Sequence, residues 1–179
     1  MTFSIPTVPL YPLSFSDNHF TLVWGSEDWV VSAVPQKESV VANGMLAGQT
    51  LKDITEAYGT LLLGRKVVDI YGKTFPLLIK FIDAHQDLSI QVHPIDELAQ
   101  RRHGSLGKTE MWFVMDSAPD AKLYNGLKQQ ITPDEYKQMV ADDTICDALA
   151  QYTVGEGDCF FIPAGRIHAI GAGCFLAEI

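Results

Sequence analysis

Residues 87–112 read DLSIQVHPIDELAQRRHGSLGKTEMW, and the fold turns on how this stretch is read. In Ser89-Ile90-Gln91-Val92-His93, polar and apolar residues alternate. A strand here would place Ser89, Gln91 and His93 on one face, with Ile90 and Val92 on the other. Lys108 and Glu110 repeat the device at the head of the β-forming run that continues through Trp112 to Val114. Side by side, two such strands would bring Gln91, His93 and Glu110 together as candidate metal ligands, and His168 is a fourth candidate far downstream. Between the strands, Pro94, Asp96 and Glu97 predict a helix with the proline in its first turn, ending near Arg101-Arg102 with Gly104 beyond.

The chain has 179 residues, 47% of them hydrophobic and 20% charged, which predicts a soluble globular protein with a real core. We expect an extended segment over residues 1–19, punctuated by proline, and one domain over residues 20–179. The longest apolar run, residues 75–82, is broken by Pro76 and Lys80 and cannot span a membrane. The start, MTFSIPTVPLYPLSF, lacks a basic region and carries three prolines, so a cytoplasmic location is the expectation. Cys146, Cys159 and Cys174 show no C-x-x-C spacing and are expected as free thiols in the core. A formal charge of -9 with no basic block argues against nucleic acid or an anionic membrane as partner.

Elsewhere the pattern predicts strands over residues 20–24 and 29–34 about a turn at Gly25-Ser26-Glu27-Asp28. A helix over 51–57 should be capped by Thr50 with Asp53 completing a capping box, and a strand should cover 77–84. Then come a strand over 121–127, a helix from Thr132-Pro133 to 140, and a short helix over 143–150. Four strands close the chain, over 152–154, 159–162, 167–170 and 174–179. Many short strands with glycine-rich turns predict a mainly β protein, a sandwich or barrel with short helical insertions.

The most specific local pattern is Gly157-Asp158-x-x-x-Ile162-Pro163-Ala164-Gly165-x-x-His168, where glycine and proline fix a tight turn and a histidine emerges just after it. It resembles the second signature of the cupin superfamily, Gly-x5-Pro-x-Gly-x2-His-x3-Asn, with Ala172 in place of the asparagine. The first signature departs further, with Gln91-x-His93 for His-x-His and the glutamate seventeen residues on. Gln91-Val92-His93-Pro94 followed by Gly107-Lys108-x-Glu110-x-Trp112 is similar to the cupin-type (type I) mannose-6-phosphate isomerases. That resemblance runs from Trp24 to Ile179 and is densest in PLLIKFIDAHQDLSIQVHP, GKTEMWFVM and GEGDCFFIPAGRIHAIGAG.

The resemblance implies a cupin-like jelly roll and a metal-dependent isomerase interconverting mannose 6-phosphate and fructose 6-phosphate. It implies zinc on Gln91, His93, Glu110 and His168, other first-row metals also suiting these ligands. It implies catalytic roles for Lys108 and Glu178 and substrate contacts at Ser89 and Lys80. For Lys80 a snorkelling surface lysine is an equal reading. The expected partner is a small sugar phosphate. Family members continue past the last residue here with further β-structure and an arginine implicated in catalysis. A chain ending at Ile179 is therefore expected to turn over weakly and to leave an unpaired edge beside Glu178 that favours a homodimer. The alternative is a weakened cupin that binds metal and sugar phosphate. A metal oxygenase or epimerase on the same fold is a third reading, against which Gln91 speaks.

Overall fold

The computed structural model describes residues 8–179. The chain forms two compact units. One comprises residues up to Thr21, Glu27–Phe81 and Ile179, the other Leu22–Ser26 and Ile82–Glu178.

The first unit is built around α1 (Leu51–Tyr58), and its start follows the sequence closely. The Thr50 hydroxyl accepts from the Asp53 N–H at 3.1 Å, and the Asp53 carboxylate accepts from the Thr50 N–H at 3.1 Å, a reciprocal cap that satisfies two donors at the helix end. Two further helices, α2 (Thr60–Leu63) and α3 (Arg65–Tyr71), follow. Neither has a side-chain cap, and Gly59, Gly64 and Gly72 separate them, which is why no periodic signal marks them in the sequence. Ile54 and Tyr58 pack with Val41 and Leu46, and Leu10, Tyr11, Leu13 and Phe15 close over them. Tyr11 Oη accepts from the Leu46 N–H at 2.7 Å and donates to the Asn43 carbonyl at 2.8 Å. The proline-rich start, expected as a tail or edge, is thus core-forming where it is described, because its apolar residues meet a helix face that would otherwise be wet. Residues 1–7 of that expected segment lie outside the described residues.

Strands β1 (His19–Leu22) and β2 (Gly25–Val31) turn through Val23-Trp24, two residues earlier than the expected Gly25–Asp28 turn. At Gly25 φ is +148°, and a Cβ there would fall on the Asp83 carbonyl oxygen, so only glycine fits this close backbone approach. Strand β3 (Ile79–Ala84) carries Lys80, which is no surface lysine. It is 8% exposed, and its Nζ meets Glu27 Oε1 at 2.8 Å and lies 5.6 Å from the Trp29 ring centroid.

The second unit holds the remaining strands. The end of β3, then β10 (Cys174–Glu178), β5 (Glu110–Ser117) and β8 (Cys159–Ile162) lie in that order in one sheet. A four-stranded sheet runs β4 (Gln91–Val92), β9 (Ile167–Ile170), β6 (Lys122–Leu127), β7 (Leu149–Thr153), with every neighbour antiparallel. Alternate residues of both sheets, among them Ile82, Trp112, Val114, Leu123, Ile170 and Leu176, make one buried core between them. The architecture is mainly β, as expected. Within this unit β10 lies between the end of β3 and β5 and is no edge strand.

Three helices decorate this unit. α4 (Asp96–His103) starts two residues later than expected, with Ile95 as N-cap and Pro94 ahead of it. α5 (Pro133–Ala141) opens on the expected Thr132 N-cap with proline in its first turn, Glu135 completing a capping box, and α6 (Ile145–Ala148) is a single turn. No helix among the described residues is long and apolar enough to cross a membrane.

One sequence expectation is corrected in two of three positions: Cys146 and Cys159 are exposed and only Cys174 is buried. Cys159 pairs with Phe113 on the outward face of β5 and β8, and Cys146 sits on the one-turn α6, whereas Cys174 shares the inward face of β10 with Leu176. Burial pushes the Cys174 thiol up to about 11. A thiol reagent added to the native chain should therefore modify two cysteines quickly and the third only after denaturant. Fast native modification of Cys174, located by peptide mapping, would contradict its placement.

Candidate metal centre

Strand register builds the centre. On β5, Glu110 and Trp112 are two apart and face inward, and Glu178 of β10 stands directly opposite Trp112. In the other sheet Gln91, His168 and Asn125 form one row across β4, β9 and β6. Two loops bring the rows together. The Pro163-Ala164-Gly165-Arg166 turn closes with the Arg166 N–H donating to the Pro163 carbonyl at 3.1 Å, and Gly165, at φ +87°, takes the left-handed position a type II turn needs. The Gly165 N–H then donates to the His93 carbonyl at 2.7 Å, tying the His93 segment beside the one that carries His168. Beyond α4, the Gly107 N–H donates to Asp96 Oδ1 at 2.8 Å and the Lys108 N–H to the Pro94 carbonyl at 3.3 Å, which returns the chain to the same place.

The result is a triad. His93 Nε2 lies 3.1 Å from Glu110 Oε1 and His168 Nε2 lies 3.6 Å from Glu110 Oε2, with all three residues' ligand atoms within 4.8 Å of one another. Glu110 and His168 are buried, while His93 keeps 23% of its side chain exposed and is the accessible side of the group. The His168 Nδ1–H donates to the Arg166 carbonyl at 2.8 Å, which fixes the tautomer and leaves the Nε2 lone pair facing Glu110. Burial lowers the His168 pKa, against the pull of the Arg166 carbonyl and Glu110, so the ring is neutral near pH 7. Burial by itself would raise the Glu110 pKa, but the His93 imidazole and the Lys108 ammonium outweigh it and hold the carboxyl well below the usual range.

A cation fits these residues. Among the described residues neither buried Glu110 oxygen has a well-formed hydrogen bond, Oε1 meeting the Lys108 ammonium as an ion pair and Oε2 facing a neutral ring nitrogen across 3.6 Å. Metal–ligand bonds of about 2.0–2.1 Å in a tetrahedron put neighbouring ligand atoms about 3.3 Å apart, close to the spacing found. Gln91 is half-buried and directly opposite His168, in the register where a fourth donor would stand.

Lys108 joins the triad to Glu178. Its Nζ forms an ion pair with Glu110 and another with Glu178 Oε1 at 2.9 Å, and the second Glu178 oxygen accepts from the Trp112 indole N–H at 3.2 Å. Burial would lower the Lys108 pKa, but Glu178 and Glu110 overcome this and raise it, so the amine is a firm ammonium. The Trp112 ring also meets His168 edge-on at 5.4 Å.

The structure thus brings together five of the sequence-read residues, His93, Glu110, His168, Lys108 and Glu178, with Gln91 in register beside them. Ser89 is exposed in the loop before β4, where the expected strand over 89–93 shrinks to Gln91–Val92. Lys80 belongs to the first unit, in its ion pair with Glu27. Sequence reading missed the Trp112 contact with Glu178, although the period of two from Glu110 points at it. It also missed Asn125 and the Arg166 carbonyl, for which only strand pairing gives a signal.

The model of the phosphomannose isomerase type I catalytic domain matches residues 24–138. The chain belongs to this family. It is 39% identical over 153 residues to a mannose-6-phosphate isomerase of Bacillus subtilis, covering 85% of this chain and 47% of the relative. A Streptococcus mutans mannose-6-phosphate isomerase is 36% identical over 152 residues, covering 85% and 46%. The chain therefore spans about half the length of the curated relatives it matches. Among solved structures, a Bacillus subtilis mannose 6-phosphate isomerase superposes with a TM-score of 0.85 at 29% identity, over 93% of this chain and 57% of that one. The type I phosphomannose isomerases are thus its family, and their metal-dependent cupin fold agrees with the two packed sheets and the His93, Glu110, His168 triad described above.

Proposed function

We propose that the chain carries the active site of a mannose-6-phosphate isomerase and interconverts mannose 6-phosphate and fructose 6-phosphate. The observation that carries this reading is the buried Glu110 carboxylate, set between two histidines on one side and joined through Lys108 to Glu178 on the other. His93, Glu110 and His168, with Gln91 as fourth donor, would hold one zinc ion, since two histidines and a carboxylate are a set that catalytic zinc takes. Zinc, when bound, polarises a sugar's carbonyl and hydroxyl oxygens.

The chain's own residues supply the rest. Aldose–ketose isomerisation takes a proton from C2, passes through an enediolate and returns a proton to C1. Glu178, held in place by Trp112 and Lys108, is the carboxylate that accepts and returns that proton. Lys108, kept protonated by its two carboxylates, faces the developing oxyanion as a donor rather than serving as the base. His168 is held still by the Arg166 carbonyl, and Ser89 approaches the substrate from the loop ahead of Gln91. A cytoplasmic location goes with this reading.

A coupled assay tests it. Mannose 6-phosphate should yield fructose 6-phosphate, the reaction should stop on removal of metal with a chelator, and added zinc should restore it. Unchanged turnover in fully demetallated protein would overturn the proposal.

A further inference from the structure

Beside the centre, β6, β9 and the start of α5 enclose a groove of about 770 Å³ within the second unit. Its polar lining is Asn125, Gln129, Gln130, Tyr136, Tyr152 and Arg166, and Arg166 is the one charged side chain among the residues that form it. In a chain of net charge -9, a groove whose only formal charge is positive and whose other polar groups are amides and phenols is chemically suited to an anion. Arg166 also makes no ion pair among the described residues. Its Nη1 reaches only the Asn125 amide oxygen, at a long 3.5 Å. Lys108 and Lys80, the lysines that the sequence offers for a phosphate, are both already engaged with carboxylates.

The groove shares strand β9 with the triad, and β6 beside it, although no triad residue lines it. Asn125 lines it and is the cross-strand partner of His168 in the second sheet. Arg166 lines it too, and its own carbonyl anchors the His168 ring. Ile167 alone separates Arg166 from His168, so their backbones lie two residue steps apart, about 7 Å at the usual rise per residue. The carbon chain between the carbonyl end and the phosphate ester of an open-chain sugar phosphate can bridge that length.

We infer that Arg166, with Asn125 and the Gln129-Gln130 amides beside it, is the anchor for the phosphate group of the substrate, and so a specificity-determining residue that selects phosphorylated over free sugar. The inference rests on the function proposed above, but it is tested by binding, which needs no turnover. Calorimetric titration of the zinc-loaded chain with mannose 6-phosphate, free mannose and inorganic phosphate, for the parent, Arg166→Gln and Arg166→Lys, separates the two ideas. Loss of a charge-assisted contact at an exposed arginine should weaken mannose 6-phosphate about tenfold in Arg166→Gln. Arg166→Lys should recover part of that loss, inorganic phosphate should follow the same order, and free mannose should be unaffected by either change.

Equal affinity of parent and Arg166→Gln for mannose 6-phosphate would overturn the anchor while leaving the isomerase reading intact. Binding of inorganic phosphate at Arg166 without binding of mannose 6-phosphate would keep the anion site and sink its link to this substrate, and with it the isomerase reading. If both variants lose affinity equally and lose zinc as well, Arg166 is structural and the inference fails.

Discussion

Glu110→Ala should purify with at most about a tenth to a hundredth of the parent's metal affinity, because even outer partners of a metal ligand are worth 10- to 100-fold and Glu110 is the group both histidines face. The chain should still fold. Removing one member of a buried ion pair is severe when it strands the other, but here Lys108 keeps Glu178 at 2.9 Å. Circular dichroism and metal analysis of Glu110→Ala beside His168→Ala give the answer. Folded protein of either kind that still binds one equivalent of metal with parental affinity would remove the site from Glu110 and His168.

Lys108→Met should behave differently. It removes the donor that faces the oxyanion without touching a proposed ligand, so turnover should fall by about 100- to 1000-fold while metal is retained at pH 8. Acid should reveal the second effect. Lys108 is one of the groups that depress the Glu110 pKa, and without it that pKa rises towards the ordinary carboxylate value. Protons then compete for Glu110 at higher pH, so the midpoint for acid release of metal should move up in Lys108→Met relative to the parent. A downward or unchanged midpoint, measured by chelator-indicator titration, would mean that Lys108 does not hold Glu110 ionised. Parental turnover would mean that it is not the oxyanion donor.

The proposed ligands were legible as a set because each sits where local sequence dictates geometry. Period-two alternation put Lys108 and Glu110 on one face, and the Pro163–Gly165 turn fixed where His168 emerges. The capping box at Thr50 and the N-cap at Thr132 were legible for the same reason: a cap is an interaction among four consecutive residues.

What sequence by itself could not decide depends on which strands become neighbours. Nothing local says that Glu178 stands opposite Trp112, that Asn125 stands opposite His168, or that β10 has a strand on either side, because register joins residues dozens of positions apart. The same holds for burial of single side chains. Cys159 and Cys174 read alike in sequence, but one faces outward beside Phe113 and the other inward beside Leu176, and only the pairing of β5 with its neighbours assigns the faces. The two glycine-separated helices α2 and α3 lacked caps to announce them, and the proline-rich start became core only because the face of α1 was there to receive it. Local chemistry chose the proposed ligands, and long-range strand pairing decided which of them meet and what holds them.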